Sequence, residues 1–418
     1  MATEVRLGPR TPCIVSAVRT PLGAFQGALS SYTAPELGSI AIRGALERAG
    51  VRPEDVDEVL LGNVISANLG QAPATQASLG AGLPPSTPCT LVNKVCSSGL
   101  KAVMLAATAI MAGTADVVVA GGFESMSNAP HYMPAARRGL RLGDGAVVDG
   151  LVKDGLWDPY SNIHMGSCAE LCADRYAISR QMQDEHALQS HQRAVAAAAA
   201  GHTLAEIVPR RRQEGRRRLW RFIWEDEGLA KMDPARLPGL KPYFRRDGGG
   251  SVTAGNSSPM TDGAAALVVA SYDAVQRLGL PLLAVVRGFA DAQQSPEWFT
   301  TAPAAVVPRA LRRAGVEAAE VDYWEVNEAF SVVDVANRQL LGLPADRVNA
   351  HGGSVALGHP IGASGARILV TLLNVLRARG GRLGCAAICN GGGGASGVVV
   401  ELVDRGRAAV APRRQSQL

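Results

Sequence analysis

The sequence is poor in aromatic residues and in charge. Of its 418 residues only 5% are Phe, Trp or Tyr and 19% are charged, whereas 47% are hydrophobic and 47 are glycine. This composition excludes a disordered chain, and it favours buried parallel strands wrapped by small-residue helices over a β-sandwich. A chain of this length exceeds one ordinary core, so we expect two or three domains.

The sequence also shows no secretory segment, no membrane span and no nucleic-acid-binding stripe, and each absence excludes a class of protein. No secretory hydrophobic segment opens the chain and the seven cysteines are an odd number, so we expect free thiols in a reducing compartment rather than disulfides. No apolar run of about 18 residues is evident, so no membrane span is predicted. There is no basic stripe interleaved with aromatics, and the net charge of +5 therefore favours a small anionic ligand over nucleic acid.

An internal repeat is the most informative pattern. Residues 45–57 match residues 310–322 at eight of thirteen positions, and the helix-like runs 97–113 and 364–381 recur at a similar spacing. Each run gives way to an apolar strand and a glycine cluster. We therefore predict an α/β fold of two duplicated halves. The N-terminal half is predicted to span residues 11–125, completed by 251–280, and the C-terminal half residues 281–403. An inserted loop domain is predicted at 126–250 and a C-terminal tail at 404–418.

Cys96 is the first candidate nucleophile. It follows the apolar segment TLV and precedes the long helical run at 97–113. The free backbone N–H groups and the helix dipole at such a junction favour the thiolate, which is the nucleophilic form of cysteine. Taken alone, a buried cysteine that only packs is the commoner interpretation.

Three more positions carry chemistry in the second half. His359 lies in a glycine-rich turn ahead of the helix that corresponds to the one after Cys96, so a neutral imidazole is expected near that thiol. Cys389 ends an apolar strand and opens onto four glycines, whose amides can form an anion-binding nest. Asn327 begins the segment NEAF at a strand end, where it can hold a water or a carbonyl group. A structural histidine, a glycine turn and a helix cap are the alternatives.

Jointly these segments resemble the thiolase family along nearly the whole chain. The matching motifs, in order, are AVRTPLGAFQG, NKVCSSGLKA, GGFESMSNAP, HMGSCAE, TAGNSSPMTDGAAALVV, NEAF, GHPIGASGAR and CNGGGGAS. The resemblance implies the thiolase fold, in which two duplicated βαβαβαββ halves form mixed sheets that sandwich helices.

The same resemblance implies an acetyl-CoA C-acetyltransferase with a ping-pong mechanism. Cys96 would take an acetyl group from acetyl-CoA with His359 activating the thiol, and Cys389 would deprotonate a second acetyl-CoA. The enolate would attack acetyl-Cys96 to give acetoacetyl-CoA and CoA, and thiolysis is the reverse. His359 and a water on Asn327 would stabilise the enolate oxygen. The amides of Cys96 and Gly391 would stabilise the tetrahedral intermediate.

Four positions match the family's substrate-binding residues. The resemblance places His164 and Met165 in the thioester pocket, Ser258 against coenzyme A and Phe299 in the wall of the acyl pocket. A histidine at position 164 is typical of short-chain members, so small acyl groups are expected. No cofactor and no metal are implied, because coenzyme A is a substrate.

Potassium activation, known in some relatives, is not expected here. The backbone positions Ala254, Ser257 and Val355 match such a site, but His191 replaces the aromatic hydroxyl. The Arg-dense stretch 210–221 departs from the family; a solvated surface is favoured over a contact with coenzyme A phosphates.

The resemblance also predicts a homodimer or homotetramer. The terminal Ser-Gln-Leu is similar to a peroxisomal address, so the peroxisome is predicted, with the cytoplasm as the alternative.

Two other functions compete with this prediction. One is a 3-ketoacyl-CoA thiolase that acts on longer chains in β-oxidation, or a related ketoacyl synthase. The other is a non-catalytic acyl-CoA-binding protein. The presence of Cys389 argues against the synthase, and the joint presence of Cys96, His359 and Cys389 argues against a non-catalytic protein.

Overall fold

The computed structural model describes residues 7–214, 219–230 and 232–403, without the side chains of 210–222. The side chains of the Arg-dense stretch and the C-terminal tail predicted from the sequence therefore lie outside the described residues. The helices are Ala34–Ala49 (α1), Pro73–Ala81 (α2), Ser98–Ala112 (α3), Met165–Arg175 (α4), Arg180–Ala199 (α5), Tyr272–Leu278 (α6), Ala302–Ala314 (α7), Ser331–Leu341 (α8), Ser354–Leu357 (α9) and Ser364–Arg379 (α10).

The strands alternate with these helices in both halves of the chain. They are Pro12–Arg19 (β1), Gly23–Ala24 (β2), Glu58–Gly62 (β3), Cys89–Val92 (β4), Val117–Ser125 (β5), His131–Tyr132 (β6), Val148–Asp149 (β7), Trp157–Asp158 (β8), Ile163–His164 (β9), Arg210–Glu214 (β10), Leu219–Ile223 (β11), Thr261–Ser271 (β12), Ala284–Gln293 (β13), Tyr323–Val326 (β14), Leu383–Asn390 (β15) and Gly394–Leu402 (β16).

One continuous mixed sheet passes through both halves. Its order is β14-β15-β16-β13-β1-β12-β5-β3-β4, and β2 pairs with β12 beside this path. β1 joins the halves because it pairs antiparallel with both β12 and β13. Parallel pairs lie toward the outer ends, between β3 and its neighbours and between β14 and β15. The predicted α/β fold with mixed sheets is confirmed.

The order of elements repeats on the two sides of the β1–β13 junction. The run β4-β3-β5-β12-β1 corresponds to β14-β15-β16-β13, and a parallel bridge from Val348 to Trp324 takes the place of β4. Accordingly α1 corresponds to α7, and α3 corresponds to α10. This duplication explains the sequence repeat, while the domain boundaries stay predictions.

Glycines bring the first turns of α3 and α10 into contact. A Cβ added to Gly99 would lie 2.8 Å from the backbone nitrogen of Ala366, and one added to Gly365 would lie 2.4 Å from that of Leu100. Any larger residue would therefore push the helices apart. Because Cys96 precedes α3 and His359 precedes α10, this contact brings the two candidate residues toward one place.

The central helix corrects one expectation from the sequence. Residues Val95–Ala112 form an 18-residue stretch with a mean hydropathy of 1.6, long and apolar enough to cross a bilayer by length and composition. The expectation that no such run exists was therefore wrong. In the structure 61% of the stretch is buried, and α3 packs against α10, β3, β5 and β12. Its apolar character is accounted for by this core position.

A buried ion cluster attaches the segment between the halves to the sheet. The guanidinium of Arg19 on β1 donates to Glu206 at 2.7 Å and to Asp226 at 2.6 Å, with all three residues buried. Removing one member of such a cluster leaves an uncompensated buried charge. The region 126–250 is therefore anchored to the core.

Candidate active site

Cys96 follows a strained turn between β4 and α3. Val95 has a φ of 48°, a conformation that β-branched residues rarely adopt and that costs about 1–3 kcal/mol. The backbone N–H of Lys94 donates to Ser98 Oγ at 2.8 Å, and that of Ser97 donates to the Lys94 carbonyl at 3.2 Å. These bonds hold the turn and fix the position of Cys96. Nothing in the residue type of Val95 indicated this conformation.

Cys96 is held as a neutral thiol. Burial raises the pKa of Cys96 to about 12, although the backbone N–H groups of Gly391 and of Cys96 itself act to lower it. The N–H groups at this junction favour the thiolate as expected, but in the free enzyme desolvation outweighs them. The same two N–H groups are those predicted to stabilise a tetrahedral intermediate.

Cys389 lies beside Cys96 at the end of β15. Burial raises the pKa of Cys389 well above that of an ordinary thiol, and the nearby sulfur of Cys96 raises it further. The structure thus brings together two thiols that are nearly 300 residues apart. Cys389 also belongs to an apolar cluster that contains Met165, Phe299 and Phe330. This cluster excludes water from one side of the thiol pair.

His359 is buried in the turn before α10. Its Nδ1 lies 2.6 Å from Ser364 Oγ, and that hydroxyl donates to the Pro360 carbonyl at 2.9 Å. Because the serine proton is used there, Nδ1 carries the imidazole proton and Nε2 is left as the basic nitrogen. Among the described residues, Nε2 has no hydrogen-bond partner.

The imidazole of His359 is neutral. Burial and, to a smaller extent, the positive charge of Arg367 lower the pKa of His359 to about 3. A neutral imidazole with a free Nε2 lone pair is able to accept a proton from a thiol. This agrees with the form of His359 expected from the sequence.

Asn327 is buried at the end of β14. Its Oδ1 accepts a hydrogen bond from Ser354 Oγ at 2.6 Å, whereas its Nδ2 has no partner within the described part of the chain. The helix-cap alternative for Asn327 and Glu328 is wrong, because Phe330 occupies the N-cap position of α8. The buried amide therefore has a donor that is free for a ligand or a water.

The predicted substrate-binding residues surround this centre. His164 is the N-cap of α4 and stacks on Phe244, with ring centroids 4.8 Å apart. The sulfur of Met165 would lie 3.7 Å from a Cβ placed on Gly391. Phe299 belongs to the same apolar cluster as Cys389.

Ser258 is placed next to the NEAF segment. Its backbone N–H and its hydroxyl both donate to the carbonyl of Ala329, at 3.2 and 2.8 Å. The hydroxyl therefore makes an internal contact in this structure.

Several residues that support the site were missed from the sequence. Ser364 and Arg367 lie within the motif GHPIGASGAR, but only His359 was assigned a role there. Glu124 accepts hydrogen bonds from the backbone N–H groups of Val64 and Gly362, at 3.0 and 2.9 Å, and so ties the two halves together. The spacing of polar residues inside a motif was the available signal, and their partners were not visible in it.

Comparisons with known proteins identify the family of this chain. The thiolase N-terminal domain family matches residues 13–273, and the thiolase C-terminal domain family matches residues 280–402. Acetyl-CoA acetyltransferase 1 of Arabidopsis thaliana is 58% identical over 397 residues, which cover 95% of each chain. A cytosolic acetyl-CoA acetyltransferase of Gibberella zeae is 52% identical over 388 residues, covering 93% of this chain and 97% of the relative.

A solved structure shows the same fold. The Acat5 thiolase of Ascaris suum, determined in complex with coenzyme A, matches with a TM-score of 0.89 and 42% identity. The match covers 94% of this chain and 100% of that one. The resemblance predicted from the motifs is confirmed, and the chain belongs to the thiolase family.

Proposed function

We propose that this thiolase is an acetyl-CoA C-acetyltransferase. It joins two molecules of acetyl-CoA into acetoacetyl-CoA and free CoA, and it catalyses the reverse thiolysis. The observation that carries the proposal is the pair of neighbouring buried thiols, Cys96 and Cys389, of which Cys96 interacts with its own N–H group and with that of Gly391. A condensation through an acyl-enzyme needs one group that holds the acetyl unit and another that removes a carbon-bound proton.

In the first half-reaction Cys96 attacks the thioester carbonyl. His359 Nε2 accepts the thiol proton, and the sulfur forms a bond to the acetyl carbon. The backbone N–H groups of Cys96 and Gly391 stabilise the negative oxygen of the tetrahedral intermediate. When the intermediate collapses, the CoA sulfur leaves and takes the proton from His359. The products are acetyl-Cys96 and CoA.

In the second half-reaction Cys389 acts as the base. Its thiol proton first passes to His359 Nε2, and the resulting thiolate removes a proton from the methyl group of a second acetyl-CoA. A sulfur whose pKa is raised by burial is a stronger base than an exposed thiolate, which suits proton removal from a weak carbon acid. The resulting enolate carbon attacks the carbonyl of acetyl-Cys96, and the Cys96 sulfur leaves and takes the proton from His359 Nε2.

The enolate oxygen needs its own donors. We assign this role to the protonated His359 Nε2 and to a water bound by Asn327 Nδ2, because both nitrogens are buried and lack partners among the described residues. One donor of this kind typically contributes about 3 kcal/mol to a transition state. Without them the methyl group of a thioester is too weak an acid for a thiolate.

The site supports a short acyl group and coenzyme A as partner. Met165, Phe299 and Phe330 belong with Cys389 to one buried apolar cluster. The relatives that match over nearly the whole chain are acetyl-CoA acetyltransferases, which favours this activity over the longer-chain and non-catalytic alternatives. The Ascaris relative with coenzyme A supports CoA thioesters as substrates. Next to the His164–Phe244 stack, an open groove lined in part by Phe244 and Arg245 offers a place for the CoA moiety.

We place the protein in the cytoplasm as a homodimer or homotetramer. The peroxisomal prediction has no support from the relatives, one of which is a cytosolic enzyme, and the terminal tripeptide lies outside the described residues. The reaction requires no metal or further cofactor, and potassium activation is not proposed.

Mass spectrometry of intact protein tests this function. After mixing with acetyl-CoA, the wild type is expected to gain one acetyl group on Cys96, and Cys96→Ala is expected to gain none. Cys389→Ala, the matched thiol control, should still become acetylated yet fail to form acetoacetyl-CoA. Condensation by Cys389→Ala at the wild-type rate would refute the assignment of the two thiols.

A further inference from the structure

Only one of the two polar atoms of the Asn327 side-chain amide makes a hydrogen bond within the described residues. Its Oδ1 accepts from Ser354 Oγ at 2.6 Å, and Nδ2 is buried without a partner among the described residues. The oxygen and nitrogen of an amide have nearly the same shape, so only their partners decide which one faces the site. If the amide turned over, the water assigned to the enolate oxygen would have to donate a hydrogen to Asn327 Oδ1 instead of accepting one from Nδ2.

Ser354 determines which way this amide points. Its Oγ accepts a hydrogen bond from Nη2 of Arg367 at 2.8 Å. A guanidinium can only donate, so the Ser354 hydroxyl hydrogen is left to point at Asn327. The group that receives this hydrogen must be an acceptor, which is Oδ1. The chain Arg367–Ser354–Asn327 therefore has one self-consistent set of donors and acceptors.

Arg367 is well placed to impose this direction. It is fully buried in the first turn of α10, and its Nη1 lies 3.7 Å from a carboxylate oxygen of Glu325 on β14. The same helix follows His359, the other donor assigned to the enolate oxygen. Through Ser354, the element that carries His359 also orients the amide at the end of β14. The two donors are thus fixed relative to each other.

We propose that Ser354 and Arg367 are positioning residues that hold the Asn327 amide with its NH2 toward the water that donates to the enolate oxygen. The proposal rests on the acetyltransferase function proposed above. Neither residue touches the substrate in this role. Their effect belongs to the second half-reaction, because the first uses the N–H groups of Cys96 and Gly391 for its oxyanion.

The test compares Ser354→Ala with Ser354→Thr, which keeps the hydroxyl. For Ser354→Ala we expect the kcat of condensation to fall roughly 10- to 100-fold, a large part of the loss seen when one oxyanion donor is removed. The KM for acetyl-CoA should change less than about threefold, and acetylation of Cys96 should stay within about twofold of wild type. Ser354→Thr should recover most of the lost kcat.

A double-mutant cycle separates orientation from general support. In an Asn327→Ala background there is no amide to orient, so adding Ser354→Ala is expected to change condensation less than about twofold. Independent, multiplying losses in the double variant would overturn the proposal, as would a wild-type rate for Ser354→Ala. An equal fall in the rates of both half-reactions in Ser354→Ala would also overturn the proposal. The cycle uses kinetic ratios and therefore still decides if Ser354→Thr does not fold.

Failure of this proposal is distinguishable from failure of the proposed function. Wild-type protein that does not acetylate Cys96 would overturn the acetyltransferase itself. If every variant acetylates Cys96 normally but the losses of condensation rate in the double-mutant cycle are independent and multiply, only the positioning role is overturned. Arg367→Lys, which keeps a buried donor, is expected to fall between wild type and Ser354→Ala.

Discussion

The two copies of the strand-turn-helix unit approach the site through different turns. Before α3 the positive φ is at Val95, at 48°, and the thiol of Cys96 follows. Before α10 it is at Gly358, at 108°, and the imidazole of His359 follows. A Cβ on Gly358 would lie 2.2 Å from Thr261 Oγ1, so that turn has no room for a side chain. The two copies share the strand-turn-helix order, but the turn before Cys96 and the turn before His359 have different backbone conformations.

Burial shifts the pKa values of Cys96 and His359 in opposite directions, and both shifts favour the neutral form of the group. It raises the pKa of Cys96 to about 12 and lowers the pKa of His359 to about 3, because a low-dielectric surrounding disfavours the charged form of each. The free enzyme therefore holds a neutral pair. In the proposed mechanism, charge develops only when the thiol proton moves to Nε2 as the sulfur attacks, at the point where the N–H donors can stabilise the oxyanion.

Replacing the imidazole should have the largest effect. In His359→Gln nothing can take the proton from a thiol of such high pKa, so acetylation of Cys96 is expected to slow by roughly 100-fold or more. The wild-type rate should stay flat as pH falls through 6.5 and decline only toward pH 3, since the neutral imidazole persists to that pH. Rapid-quench acetylation across pH measures both. Fast alkylation of Cys96 in His359→Gln at neutral pH would argue against this role.

The two copies also differ in how they hold a buried carboxylate. Glu124 of the first copy is held by N–H donors, and burial raises its pKa to about 7. Glu328 of the second lies 3.2 Å from Nε2 of the buried His186, whose Nδ1 is 3.2 Å from Asp334. Despite its burial, the pKa of Glu328 is lowered to about 2, with His186 as the main lowering cause. The pKa shifts of Glu124 and Glu328 therefore have opposite directions because only Glu328 has the imidazole of His186 as a close counter-ion.

Replacing that counter-ion tests how strongly the charge of Glu328 depends on it. His186→Gln is expected to lower the free energy of unfolding by about 3 kcal/mol near pH 6, because the buried Glu328 loses its counter-ion and Asp334 is left with Arg338 alone.

The pH dependence gives the sign of this effect. The carboxylates raise the pKa of His186 above 6.5, so its contribution is complete below pH 6.5 and is lost as pH rises through the folded-state pKa. The contribution of Glu328 is complete above pH 4.5 and is lost as pH falls toward 2. Denaturant unfolding at several pH values measures both limbs. An unchanged alkaline limb in His186→Gln would contradict the assignment.

Exchanging the turn residues should have the smallest effect and tests the comparison directly. Gly358→Ala adds a methyl group against Thr261 in a backbone conformation that L residues avoid, so a loss of about 2 kcal/mol is expected. Val95→Gly removes strain but adds freedom to the unfolded chain, so a change below about 1 kcal/mol is expected. Thermal melts of both variants measure the difference. Equal losses would show that the two turns are not fitted differently.

The sequence could predict those features that depend on local pattern. The repeat indicated a duplicated fold, and the motif order identified the family and Cys96, His359, Cys389 and Asn327 as candidates. The sequence indicated the N–H groups that lower the pKa of Cys96 but not the burial that outweighs them, because the depth of burial is not visible in the sequence. The strain at Val95 was missed because valine rarely adopts a positive φ.

By itself, the sequence of this protein determined its fold class, its duplication and the residue types available for chemistry, since periodicity and motif order are properties of neighbours along the chain. Only the tertiary structure decided which groups share a space. It set the two thiols side by side, made the thiol and the imidazole neutral, and linked Arg367 through Ser354 to Asn327. Those outcomes depend on desolvation and on hydrogen bonds between residues distant in the chain, which take effect only when the halves pack together.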